Sequence, residues 1–187
     1  MLHVCLLMSG NRASVFDWFG LILGFRGRFM SEHGFVRAEV PFDVSDFNLV
    51  VGVVTSRFNS DITLLLRDKC VDRMLSRGIL ESSLIQADVP GSLEISYAIS
   101  LIATRQFPLD VMVAIGCVIR GDTFHFDVVA MQSAASIYSV QESVKVPVIN
   151  GILTTDNFQQ ASDRISRGDD FADCAIEMAF LRRSLSS

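Results

Sequence analysis

The stretch RGDTFHFD, residues 120–127, gathers an arginine, two aspartates, a threonine and a histidine directly after the apolar run DVMVAIGCVI at 110–119. Gly121 lets a ligand approach the backbone closely. A helix beginning at Asp122 or Thr123 would point its unpaired amides outward, a ready seat for phosphate. The Asp122 carboxylate would repel an anion, so its expected contribution is to cap the helix. Its backbone N–H and the Thr123 hydroxyl are then left for the phosphate. His125 lies about one turn further on. Histidine, with an ordinary pKa of about 6.5, suits proton transfer at neutral pH, a role worth ~10²–10⁴ in rate. Taken alone, the octapeptide reads equally well as a solvated turn, with Asp122 capping the helix and His125 on the surface.

Other stretches carry weaker signals of the same kind. RFN at 57–59 sets an aromatic ring beside an amide, suited to a flat heterocycle that is stacked and hydrogen-bonded. VPGSLE at 89–94 places Glu94 in the first turn of a helix, where a carboxylate suits the dipole or accepts bonds from a polyol. Arg164 is expected on the helix after the last strand, which Arg167 and Gly168 would close. Cations there either reach a phosphate or simply suit a helix C-terminus.

These groups need elements to position them. FNLVVGVV (47–54), SLIQADV (83–89), DVMVAIGCVI (110–119) and KVPVINGIL (145–153) read as four strands, the first and third apolar throughout. Between them, helical stripes run from Ile62 to Arg77, closed by Gly78, from about Ile95, and over about 126–141. Asp156 is expected to cap the next helix, with Gln159 reaching back, and a last helix covers about 170–185. Strands alternating with helices specify βαβ units and an α/β fold with a parallel sheet covered on both faces. In such sheets ligands bind beyond the carboxyl ends of the strands. TSRFNS, DVPGSLE, RGDTFHFD and GILTTDN all fall on that edge.

Composition narrows the class. The 187 residues are half hydrophobic, with a net charge of −5, which suits one globular domain and no nucleic-acid surface. Cysteines at 5, 70, 117 and 174 are too scattered for a zinc pattern or a disulfide framework. Free buried thiols and a reducing cytoplasm are the expectation. VFDWFGLILGF is too short to span a bilayer, and MLHVCLLMSG lacks the leading charge of a secretory signal. Arg26 and Arg28 leave an organellar targeting role open. The polar run from Met30 makes residues 1–29 read rather as an over-long start or an extension outside the core. The expected division is an extension at 1–46 and a single domain at 47–187.

SRFN (56–59), VPGSLEI (89–95), GCVIRGDTFHFDVV (116–129), PVINGILTTDNFQQASDR (147–164) and AIEMA (175–179) together resemble the 6,7-dimethyl-8-ribityllumazine synthase family of riboflavin biosynthesis, in family order and at nearly family spacing. The resemblance implies a flavodoxin-like three-layer αβα sandwich on a four-stranded parallel sheet. It implies a homopentamer, or larger shells built from pentamers, with sites at subunit interfaces, small-molecule substrates and no metal or organic cofactor. The implied reaction joins 5-amino-6-(D-ribitylamino)uracil to 3,4-dihydroxy-2-butanone 4-phosphate, with loss of water and inorganic phosphate.

Carried over by position, Phe58 would stack on the pyrimidine with Asn59 beside it, and Ser92, Leu93 and Glu94 would line the ribityl pocket. Val118 and Ile119 would offer backbone groups to the ring. Asp122 and Thr123 would bind the phosphate, and His125 would be the acid/base residue. Arg164 would hold the phosphate from a neighbouring subunit. Leu93 replaces a frequent phenylalanine, and Asn150 stands where the family often has an aromatic that covers the ring from next door. Arg167 falls where a phosphate-facing lysine is usual, after a shortened connection. A flavin- or lumazine-binding assembly protein of the same fold, with little turnover, is the alternative those substitutions suggest. A related enzyme that exchanges carbon between two lumazines is a third. Retention of His125 and Arg164 favours the synthase.

Overall fold

The computed structural model describes residues 40–105 and 108–186. The expectations for residues 1–29, and Cys5 with them, lie outside that span. Four strands, β1 (Val51–Ser56), β2 (Leu84–Val89), β3 (Val111–Ile119) and β4 (Val148–Thr155), form one parallel sheet in the order β2-β1-β3-β4. The helices are α1 (Ser60–Ser76), α2 (Ile95–Ala103), α3 (His125–Val144), α4 (Phe158–Ser162) and α5 (Arg167–Leu185). Helices α1 and α5 pack together in one layer, α2 and α3 in the other, which is the flavodoxin-like sandwich expected.

The burial pattern explains the strand order. β1 is buried along its whole length and β3 nearly so, as strands covered on both faces must be. Gln86 and Asp88 of β2, and Asn150 and Thr154 of β4, are exposed, which suits the two edges. Val54, Met112 and Ala114 pack with Ile95, Ile99 and Ile137 into the core beneath α2 and α3. Ala172, Ala175 and Ala179 keep α5 thin enough to lie close to α1.

Several local expectations shift. The apolar run at 47–54 does not all become strand. Ser45–Phe47 form a 3-10 turn, and β1 continues through Thr55 and Ser56 because β2 and β3 pair with it there. Residues ahead of Phe47 already hold to the fold. The Val44 N–H donates to Arg77 O at 2.7 Å, and the Arg77 guanidinium donates to the carbonyls of Phe42 at 2.6 Å and Pro41 at 2.9 Å. Gly78 does close α1, at φ +94°.

The capping box after β4 sits one residue later than expected. Asn157 Oδ1 accepts from the Gln160 N–H at 2.9 Å, and Gln160 Oε1 accepts from the Asp156 N–H at 3.0 Å. Arg164 lies in the turn between α4 and α5 rather than on a helix, and Arg167 and Gly168 open α5 rather than close its predecessor. Gly168 is required by tertiary contact. A Cβ there would stand 2.6 Å from Leu66 O and Lys69 Cβ of α1.

Charged groups latch the amino end of the sheet. The Asp110 carboxylate accepts from the Val50 N–H at 2.8 Å and from two nitrogens of Arg183 at 2.6 and 2.7 Å. Arg182 donates to Leu109 O at 2.6 Å. The carboxyl end is the open one.

Candidate active site

The sheet order places β1 and β3 side by side, with β2 outside one and β4 outside the other. The order in which strands join the sheet therefore reverses between β1 and β3, and the crevice beyond their carboxyl ends is where an α/β sheet binds ligands. A cavity of about 450 Å³ opens there. Phe58 and Asn59 line it from the end of β1, Ser92, Leu93 and Glu94 from the turn after β2, and Val118 and Ile119 from β3. Thr123 and His125 line it from the turn entering α3. A shallower groove of about 590 Å³ between α2 and α3 is lined mainly by serines and lacks such a convergence of chemistry.

The backbone pins the aromatic platform. Beyond the last paired residues of β1 and β2, the Arg57 N–H donates to Val89 O at 2.8 Å and the Phe58 N–H to Pro90 O at 3.1 Å. Phe58 is left 69% exposed, a large aromatic surface open to solvent among the described residues. Asn59 occupies the left-handed region at φ 57°, which asparagine tolerates better than most residues. Its Nδ2 donates to Cys117 O at 2.9 Å, bracing the crevice from β1 to β3.

On the opposite wall, Ser92–Glu94 form a single 3-10 turn leading into α2, so Glu94 precedes the α-helix proper. Ser92 is buried, and its Oγ would lie 2.8 Å from a Cβ on Gly116, so glycine in β3 is what admits this turn. Gly121 differs: a Cβ there would meet nothing within 4 Å, so the space beside it is open to a ligand.

Helix α3 begins at His125, within a residue of the expected span from 126 but past the alternative start at Asp122 or Thr123, and Asp122 makes no side-chain cap to it. Instead Thr123 Oγ1 accepts from the His125 N–H at 3.4 Å. Asp122 is exposed and off the cavity lining, as are Asn150, Arg164 and Arg167. Asn150 Oδ1 accepts from the Ile152 N–H at 3.1 Å, and Arg164 Nη1 donates to Gln160 O at 2.7 Å.

Four lining residues are not singled out by the sequence reading: Gly91, Cys117, Phe126 and Val129. The helical period exposes the last two, since residues 125, 126 and 129 share a face of a helix that starts at 125. Cys117 ends its side chain in a thiol, but burial pushes its pKa up to about 11, so it stays protonated and is a poor nucleophile at neutral pH. Burial, followed by Asp169 and Asp173, likewise pushes Cys70 up to about 12. Among the described residues no three His, Cys, Asp or Glu side chains converge as metal ligands, and no helix is long and apolar enough to cross a membrane.

Comparison with known proteins agrees with this architecture. The family model for 6,7-dimethyl-8-ribityllumazine synthase matches residues 48–183. The 6,7-dimethyl-8-ribityllumazine synthase of Nitrosospira multiformis is 41% identical over 149 residues, covering 79% of this chain and 92% of the relative. That of Methylobacillus flagellatus is 40% identical over 148 residues, covering 79% and 99%. That of Polynucleobacter necessarius is 39% identical over 146 residues, covering 77% and 84%. With the matched segment running from the threshold of β1 to the last turn of α5, the chain belongs to the 6,7-dimethyl-8-ribityllumazine synthase family and is an enzyme of riboflavin biosynthesis.

Proposed function

We propose that this chain condenses 5-amino-6-(D-ribitylamino)uracil with 3,4-dihydroxy-2-butanone 4-phosphate to give 6,7-dimethyl-8-ribityllumazine, phosphate and water. The observation that carries the reading is the cavity at the switch point, where an exposed Phe58 ring, the Ser92–Glu94 turn, the end of β3 and the Thr123–His125 turn face one space. Phe58 stacks on the pyrimidine, and Glu94 accepts from ribityl hydroxyls. Val118 and Ile119 present backbone groups to the ring, and the Thr123 turn receives the phosphate.

The amine of the pyrimidine attacks the ketone and one water leaves as the imine forms. Phosphate departs by elimination, the resulting enol becomes a ketone, and the second amine closes the ring on it with loss of a second water. Each step moves a proton, which His125 carries. Holding two reactants in register supplies much of the acceleration, since effective molarities of ~10⁵ M or more are attainable.

Among the described residues, the cavity lining contains no lysine or arginine. A dianionic phosphate therefore calls for a cation from elsewhere, and we assign it to Arg164 of a neighbouring copy, with Arg167 and Asn150 facing the same interface. The assembly is a pentamer or a multiple of one. Buried free thiols suit a reducing compartment such as the cytoplasm. The test mixes the purified chain with both substrates and follows the lumazine chromophore. A rate above the spontaneous one is expected; binding without acceleration would identify the assembly protein instead.

A further inference from the structure

Arg120 joins three segments that meet at the edge of the cavity. Its N–H donates to Thr155 O at 2.9 Å, carrying the β3–β4 pairing one residue past the strands. Its Nε donates to Asp156 Oδ1 at 3.0 Å, and its Nη1 donates to the two oxygens of Asp127 at 3.3 and 3.2 Å. Its Cζ stands 4.0 Å from the centroid of the Phe126 ring. The guanidinium thus ties the loops after β3 and β4 to the first turn of α3. That turn also carries His125, and both His125 and Phe126 line the cavity.

Stability is a poor account of this cluster. The side chains of Arg120, Asp127 and Asp156 are 44%, 35% and 67% exposed, and ion pairs so exposed contribute little to folding. Charge is a better account. Asp127 and Asp156 put two carboxylates beside the Gly121–Thr123 turn, where either, left unpaired, would repel an incoming anion. The Nε and Nη1 of Arg120 are engaged with those carboxylates, so its service to a phosphate is indirect.

We propose that Arg120 is a positioning and charge-balancing residue: it fixes the first turn of α3, and with it His125, and it neutralises Asp127 and Asp156 so that phosphate can settle at the Thr123 turn. This rests on the reading above that the turn receives phosphate.

The test titrates inorganic phosphate into the full chain by calorimetry, alongside steady-state kinetics with both substrates. Arg120→Gln should weaken phosphate binding, and raise KM for the phosphate substrate, roughly tenfold while changing KM for the pyrimidine little. Adding Asp127→Asn and Asp156→Asn to Arg120→Gln should restore phosphate affinity but not kcat, because the brace on α3 stays broken. Arg120→Lys, which keeps the charge without the fork, should hold KM near wild type and lower kcat. Asp156→Asn alone alters an exposed side chain and should tighten phosphate binding about twofold.

Unchanged phosphate affinity in Arg120→Gln, or no recovery in the triple variant, would overturn the inference, as would a wild-type chain that binds no phosphate. A wild type that binds phosphate and responds as described, yet forms no lumazine, leaves the inference standing and removes the synthase reading.

Discussion

Among the side chains around the cavity, burial separates Cys117 from His125. Cys117 is buried with its pKa raised to about 11, whereas His125 stands exposed at the first residue of α3. Iodoacetamide at pH 8 should therefore leave Cys117 unmodified in the folded protein and label it quickly after denaturation, as read by mass spectrometry. The sign of the pH effect follows from the same shift. A thiol raised from 9.0 to about 11 keeps its full contribution to stability below about pH 9 and loses it as pH climbs through the raised value. The thermal midpoint should accordingly fall over that alkaline window. Arg164, in the turn after α4, is exposed, and its Nη1 donates to the Gln160 carbonyl of α4. Arg164→Ala should raise KM for the phosphate substrate about tenfold or more, the scale of a lost charge-assisted hydrogen bond, without moving KM for the pyrimidine. Unchanged saturation would refute the clamp.

Elements that carry their own signal were legible in the sequence: β3 as a continuous apolar run, Gly78 as the stop of α1, and the polar edge after each strand. What was misread depends on distant partners. Gly168 looks like a helix stop in isolation, because nothing local reveals that Leu66 and Lys69 of α1 press against it. The cap after β4 was placed on Asp156 because aspartate and asparagine are both good caps, and only the backbone path selects Asn157. Asn59 is expected beside a ligand and does line the cavity, but the bond from its Nδ2 to Cys117 O across the sheet is invisible until β1 and β3 are neighbours. Gly168→Ala tests the crossing of α1 and α5. The added methyl must push the helices apart, and overpacking of this kind costs about 1–3 kcal/mol, visible as a lower urea midpoint. A neutral result would mean the helices slide apart freely.

At the scale of the molecule, the fold assembles one wall of a site and leaves it open. The sheet order brings four segments, distant in sequence, to a single crevice, yet among the described residues the lining includes neither lysine nor arginine, and Phe58 is largely exposed. A solution mass of five chains, or a multiple of five, is the expected result of light scattering, and a monomeric active enzyme would contradict the shared site. The most direct test of the whole account is steady-state lumazine formation by wild type and His125→Ala, with both substrates varied. The expected result is a wild-type rate well above the spontaneous one, and a fall in kcat of ~10² or more in the variant with KM nearly unchanged. A wild-type rate equal to the spontaneous one, or a variant that loses only affinity, would contradict it.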